Sequence, residues 1–296
     1  MQREQGKWDW RWLYLLGWCL LCLGLFRRSV ITLLTTGLHD ENISHVFLIP
    51  FIAAWLLFYE KRPLPEGVQA DRSAAAPFAL AALLLAGWSR FAAPNQGLGP
   101  VTVPILALVL LVVAGFVYLF GRVAARDKGF ALGFLLFAVP LPPFLLQRFI
   151  YWLQAGSAAV AEFFFELSGY PVMRQGFVFR LPRISIEVAK ECSGIRSSIA
   201  LLILAVLVCH FSFERWWKRA AFIAVGLAMM LIKNGIRIAT LTLLANYVNP
   251  EFLYGRLHHQ GGVVFFLIGL ALLIPVYVLL RRGEGKPPLA SIQNPA

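Results

Sequence analysis

The stretch VTVPILALVLLVVAGFVYLF, residues 101–120, carries no charged side chain over twenty positions. As a helix it is about 30 Å long, which matches the hydrocarbon core of a bilayer. Runs of this kind recur along the chain. They fall at about 13–26 (with an irregular continuation to 38), 46–59, 75–88, 101–120, 130–146, 193–213, 220–247 and 263–280. In lipid each run must satisfy its own backbone, so each is expected to be helical. The fold class that follows is an all-α polytopic membrane protein with about eight transmembrane helices. Composition agrees: 59% of the 296 residues are hydrophobic and 14% are charged, with a mean hydropathy of +0.71. Soluble domains are about half apolar.

Two segments break the pattern. Residues 150–167 interleave Gln154, Ser157, Glu162 and Glu166 with aromatics, as an amphipathic helix at an interface or in a cavity does. Residues 170–187 cover nearly all of GFVFRLPRISIEV (176–188), whose apolar–polar alternation predicts a short extracytoplasmic hairpin before the sixth span. Residues 1–285 read as a single integral membrane domain. The polar stretch 286–296 reads as a disordered cytoplasmic tail.

The net charge is +12. The basic residues are dispersed through short loops, which in a membrane protein sets orientation rather than marking a nucleic-acid partner. With both termini in the cytoplasm, 15 of the 27 Lys and Arg residues face inward. Most of the rest lie between 174 and 190 or beside the polar clusters described next. The first apolar run is followed by Arg27 and Arg28 without a small-residue cleavage pattern, so no cleaved leader is expected. Cys19, Cys22 and Cys209 sit in apolar runs and read as packing.

Three polar clusters then fall near the outer leaflet: AKECSGIRSS at 189–198, KNGIR at 233–237 and GRLHHQGG at 255–262. Cys192 stands at the start of the sixth span, where a helix N-terminus favours a thiolate. It is either a nucleophile or a cysteine packed at a helix end. Ser193 and Gly194 are small and leave room for a substrate backbone. Arg196 lies one turn along, on the same face. Arg237, inside a membrane helix, needs a partner. It either snorkels or pairs with a carboxylate such as Glu191, or it holds a carbonyl oxygen or carboxylate and stabilises negative charge there. Lys233 and Asn234 precede it. His258 and His259 are either interfacial or serve as a proton shuttle. They are adjacent and have no acidic or thiol companion in register, so no metal and no cofactor is expected. Cys, Arg and His at three helix ends match the logic of cysteine acyl transfer.

VAKECSGIRSS, NGIRI and LHHQGGVVFF together resemble the exosortase/archaeosortase family of multi-spanning cysteine transpeptidases. ENISHVFLIPFIAAWLL, PLPPFLLQRFIYWLQ and MRQGFVFRLPRISIEVAKECSG extend the resemblance over most of the chain. It implies Cys192, Arg237 and His258 as catalytic residues, with Arg196, Glu191, Asn234 and His259 supporting them or binding substrate. The implied substrates are exported proteins with a C-terminal sorting signal and a transmembrane tail. The tail is cleaved through a Cys thioester and passed to an acceptor amine or water. The implied location is the inner membrane, with the site facing outward, and no nucleic-acid partner is implied. The rival reading is a non-catalytic membrane component or transporter of envelope polysaccharide assembly. It makes no demand on Cys192.

Overall fold

In the computed structural model the described residues are 10–39, 43–59, 69–91, 99–182, 184–189, 194–253 and 262–284. They divide into two compact units, Met1–Leu146 and Gln147–Ala296. Among them, five helices are long and apolar enough to cross a membrane: Arg72–Phe91, Thr102–Asp127, Ile195–Ser212, Trp216–Tyr247 and Gly262–Arg281. Two bent pairs raise the number to as many as seven, and Ser44–Phe58 is a shorter apolar helix. These pieces correspond one to one with the eight apolar runs of the sequence. The all-α polytopic reading holds, but three of the eight are not single straight spans.

In the first unit, α1 (Arg11–Leu25) turns by 79° into α2 (Arg27–His39), and the elbow falls at Phe26 beside Arg27 and Arg28. A 3₁₀ turn, Ser44–Phe47, leads into α3 (Ile49–Tyr59). Next come α4 (Arg72–Phe91), α5 (Thr102–Asp127), α6 (Gly129–Phe134) and a second 3₁₀ turn, Leu135–Ala138. The expected fifth span, 130–146, is therefore not one helix. Val139 is extended, as a residue before a proline is pushed to be, and Pro140 ends the run.

Helix α5 forms the spine of this unit, with α4 along its side. The Trp12 ring of α1 lies 4.6 Å from Phe120, which lies 4.8 Å from Phe116. Trp18 Nε1 donates to the Leu111 carbonyl at 2.8 Å. Gly115 has no Cβ where the Trp18 ring lies. Asp71 caps α4 by accepting from Ala74 N at 2.9 Å, and it pairs with Arg122 at 2.8 Å. That pair puts the start of α4 and the later part of α5 on one side, as alternating spans require.

Helix α7 (Pro143–Leu167) opens with proline at its first position, where a missing N–H costs nothing. It takes in the amphipathic segment, whose body lies in the second unit. There the chain continues through β1 (Met173–Gln175), β2 (Val178–Arg180) and β3 (Ser185–Glu187), then α8 (Ile195–Ser212), α9 (Trp216–Tyr247) and α10 (Gly262–Arg281). The strands form an antiparallel meander, one strand more than the expected hairpin. Gly176, at φ 62, makes the first corner. Phe179, Leu181 and Val188 pack against Ala158, Ala161 and Phe165 of α7 and against Ile238 and Ala239 of α9. Arg174 reaches Glu162 at 2.7 Å and lies over the Phe179 ring.

Helices α7 and α9 approach closely through glycine, as membrane helices do where small residues face each other. A Cβ on Gly235 would collide with the Val160 side chain, and one on Gly156 would stand 2.8 Å from Leu231 Cδ1. At 32 residues, α9 is about 48 Å long, more than a bilayer core.

Candidate functional site

Three helix ends gather in the second unit. Lys218, near the start of α9, pairs with Glu284 just past the end of α10 at 2.9 Å, and it donates to the Arg282 carbonyl at 3.1 Å. Further along α9, the Lys233 side chain meets Gly269, in the first half of α10. The two helices are therefore antiparallel. Helix α8 shows the same sense: its start touches Lys233 and Asn234, while Phe213 at its end meets Phe222. The start of α8, the later half of α9 and the start of α10 all lie at one end of the unit. These are the ends that carry the three polar clusters.

The contact at the start of α8 is intimate. Gly194 caps the helix with φ 65 and ψ 24, a left-handed conformation that suits glycine. A Cβ there would stand 2.7 Å from Asn234 Oδ1 and 3.5 Å from Lys233 Nζ. The Gly194 carbonyl accepts from Ser198 N and from Ser197 Oγ, each at 3.0 Å. Helix α8 thus begins at Ile195, later than the expected 193. The positive φ of Gly194 explains the difference, because a left-handed residue cannot continue a right-handed helix.

The chain before the cysteine is held as well. Gln154 Nε2 of α7 donates to the Val188 carbonyl at 2.9 Å, and Val188 N donates to the Phe177 carbonyl at 2.9 Å. Val188 and Gly194 therefore bracket the 189–193 segment, one tied to α7 and the meander, the other to α9.

Among the expected site residues, Asn234 is sealed, at 1% exposure, and donates through Nδ2 to Ser157 Oγ of α7 at 3.1 Å. Arg237 is half-buried one turn beyond Lys233, and Arg196 is exposed at the second residue of α8. Cys192, Glu191, His258 and His259 lie outside the described residues. Asn234 of α9 therefore lies against Gly194 at the start of α8, with Arg237 three residues further along α9.

The structure adds four polar residues to this end of the unit: Gln154, Ser157, Ser197 and Lys233. Gln154 and Ser157 are three apart on one face of α7, followed by Ala158 and Ala161. That small, polar stripe was visible in the sequence but had no assigned partner. Among the described residues, no group of three His, Cys, Asp or Glu side chains is placed to hold a metal.

Apolar helices long enough to span a membrane, with buried polar contacts gathered at one end, define a polytopic membrane protein. The chain belongs to the transmembrane exosortase family, Exosortase_EpsH, whose model matches residues 35–275. Its role is accordingly of the membrane exosortase type. No curated protein and no solved structure matches it.

Proposed function

We propose that this protein is a membrane-embedded cysteine endopeptidase and transpeptidase acting on C-terminal sorting tails. The observation that carries the reading is the contact of Gly194 with Lys233 and Asn234. It seats the residue two positions after Cys192 against α9, within one turn of Arg237.

In the proposed reaction His258 takes the Cys192 thiol proton, and the thiolate attacks a peptide carbonyl in the tail. Arg237 stabilises the oxyanion. Collapse breaks the C–N bond, the leaving amine takes the proton from the imidazolium, and a thioester remains on Cys192. An acceptor amine or water then attacks the thioester, gives its proton to His258 and expels the thiolate, which takes that proton back from the imidazolium. Asn234 supports the site through Ser157. Arg196, Glu191 and His259 border it, and Arg196 meets polar groups of the substrate from its exposed place on α8. The site faces the extracytoplasmic side of the inner membrane.

The test is to replace Cys192 with alanine or serine and follow a co-expressed tail-bearing protein on a gel. The precursor is expected to accumulate. Processing at the parental rate would overturn the reading and favour a scaffold. A membrane-impermeant thiol probe added to intact cells tests the orientation.

A further inference from the structure

Lys233 is 1% exposed, yet no step of the proposed acyl transfer uses it. A lysine inside a membrane helix is costly and marks a function. Its partners are specific. Nζ donates to Ser197 Oγ at 2.6 Å, and Ser197 Oγ donates in turn to the Gly194 carbonyl at 3.0 Å. The methylene stem lies against α10, where a Cβ on Gly269 would be 3.1 Å from Lys233 Cδ. The next residue, Asn234, bonds to α7. One turn of α9 thereby ties together α7, α8 and α10.

We infer that Lys233 is a positioning residue: through Ser197 it locks the left-handed turn at Gly194 and so sets where the chain delivers Cys192. This deepens the proposed function and rests on it. A serine and a lysine at 2.6 Å also resemble a nucleophile–base dyad. However, the Ser197 proton is already given to a carbonyl of its own helix start, which commits the hydroxyl to the fold. Two peptide units reach at most about 7 Å. A turn fixed at Gly194 therefore restricts Cys192 closely, and Val188 is held on the other side.

The test needs no substrate. Membranes carrying the full chain are labelled with N-ethylmaleimide, and the rate at each cysteine is followed by mass spectrometry of its peptide. Lys233→Met keeps the length and loses the donor, Lys233→Gln keeps a donor, and Ser197→Ala removes the relay. Lys233→Met and Ser197→Ala are expected to shift the Cys192 rate about fivefold, the factor for one hydrogen bond of ordinary strength. Lys233→Gln stays within about twofold of the parent. The double variant moves no further than either single, because both act through one chain.

Cys22 and Cys209 are buried and report unfolding. Where Lys233→Met exposes them, Ser197→Ala decides alone. An unchanged Cys192 rate in Ser197→Ala, or additive single effects, overturns the inference. Because labelling is independent of turnover, intact processing in Cys192→Ala would remove the enzymatic reading while leaving the labelling result standing.

Discussion

Among the described residues the first unit buries two polar side chains, Thr102 and Lys128, while the second buries eight, including Gln154, Ser157, Lys233, Asn234, Thr242 and Asn246. Both units are assembled from apolar helices. The first is held by an aromatic stack of Trp12, Phe116 and Phe120 and by a tryptophan fitted over Gly115. The second adds hydrogen bonds from buried polar side chains: Gln154 to the Val188 carbonyl, Asn234 to Ser157 and Lys233 to Ser197. Lipid makes such groups expensive, and the first unit buries far fewer of them. Several of them gather at one end of the second unit, where the proposed site would need to be held in place.

The sharpest way to break this contrast is Arg237→Gln. Loss of one charge-stabilising donor typically costs about 10²–10³ in rate, so tail processing should fall by that order. Arg237→Lys should not restore it, since an ammonium lacks the planar fork. Gly194→Ala comes next. It forces a side chain into a left-handed backbone and onto Asn234 Oδ1, so it should cost roughly 1–3 kcal/mol. Processing per folded molecule should drop about tenfold or more in a gel assay.

A paired substitution then compares the units directly. Gly235→Ala and Gly115→Ala both overpack a helix contact, and each should lower Tm by an amount worth roughly 1–3 kcal/mol. Only Gly235→Ala should reduce processing per folded molecule, because only it displaces α9 from α7. Equal losses of activity would erase the distinction between the units.

The smallest effect belongs to Asp71→Asn. Hydrogen bonds from Arg122, Ser73 and the Ala74 N–H hold the Asp71 carboxyl well below its ordinary range. A depressed carboxylate contributes above its unfolded pKa of about 3.9 and loses that contribution as pH falls towards the folded value. The variant should therefore melt about a degree or two below the parent. That gap should be constant from pH 8 to 5 and shrink only below about pH 4, as thermal scans across pH would show.

Much of the architecture was legible from residue type. Runs such as 101–120 can only be helices in lipid, and the alternation at 170–187 announced strands. What local pattern left open was geometry. The prolines at 140, 142 and 143 signalled a break, but the same Pro143 starts α7 and merges the amphipathic segment into a 25-residue helix. The basic residues at 27 and 28 marked an irregularity without revealing a 79° elbow. For the site, the polar clusters stood out because charge is rare in such runs. Arg237 and Asn234 were singled out that way, whereas the contacts of Ser197 and Ser157 were not foreseen, since a serine in a membrane helix is unremarkable until its partner is known.

The amino-acid order by itself determined that this is a polytopic helical membrane protein with its polar chemistry in the last three spans, because hydrophobic length and the cost of buried charge are local properties. Only the tertiary structure decided that Gly194 rests on Lys233 and Asn234 and that α7 supplies the partner of Asn234. Those contacts join residues some 40 to 80 positions apart, and how helices pack in lipid depends on the fit of whole surfaces, which no single stretch of sequence contains.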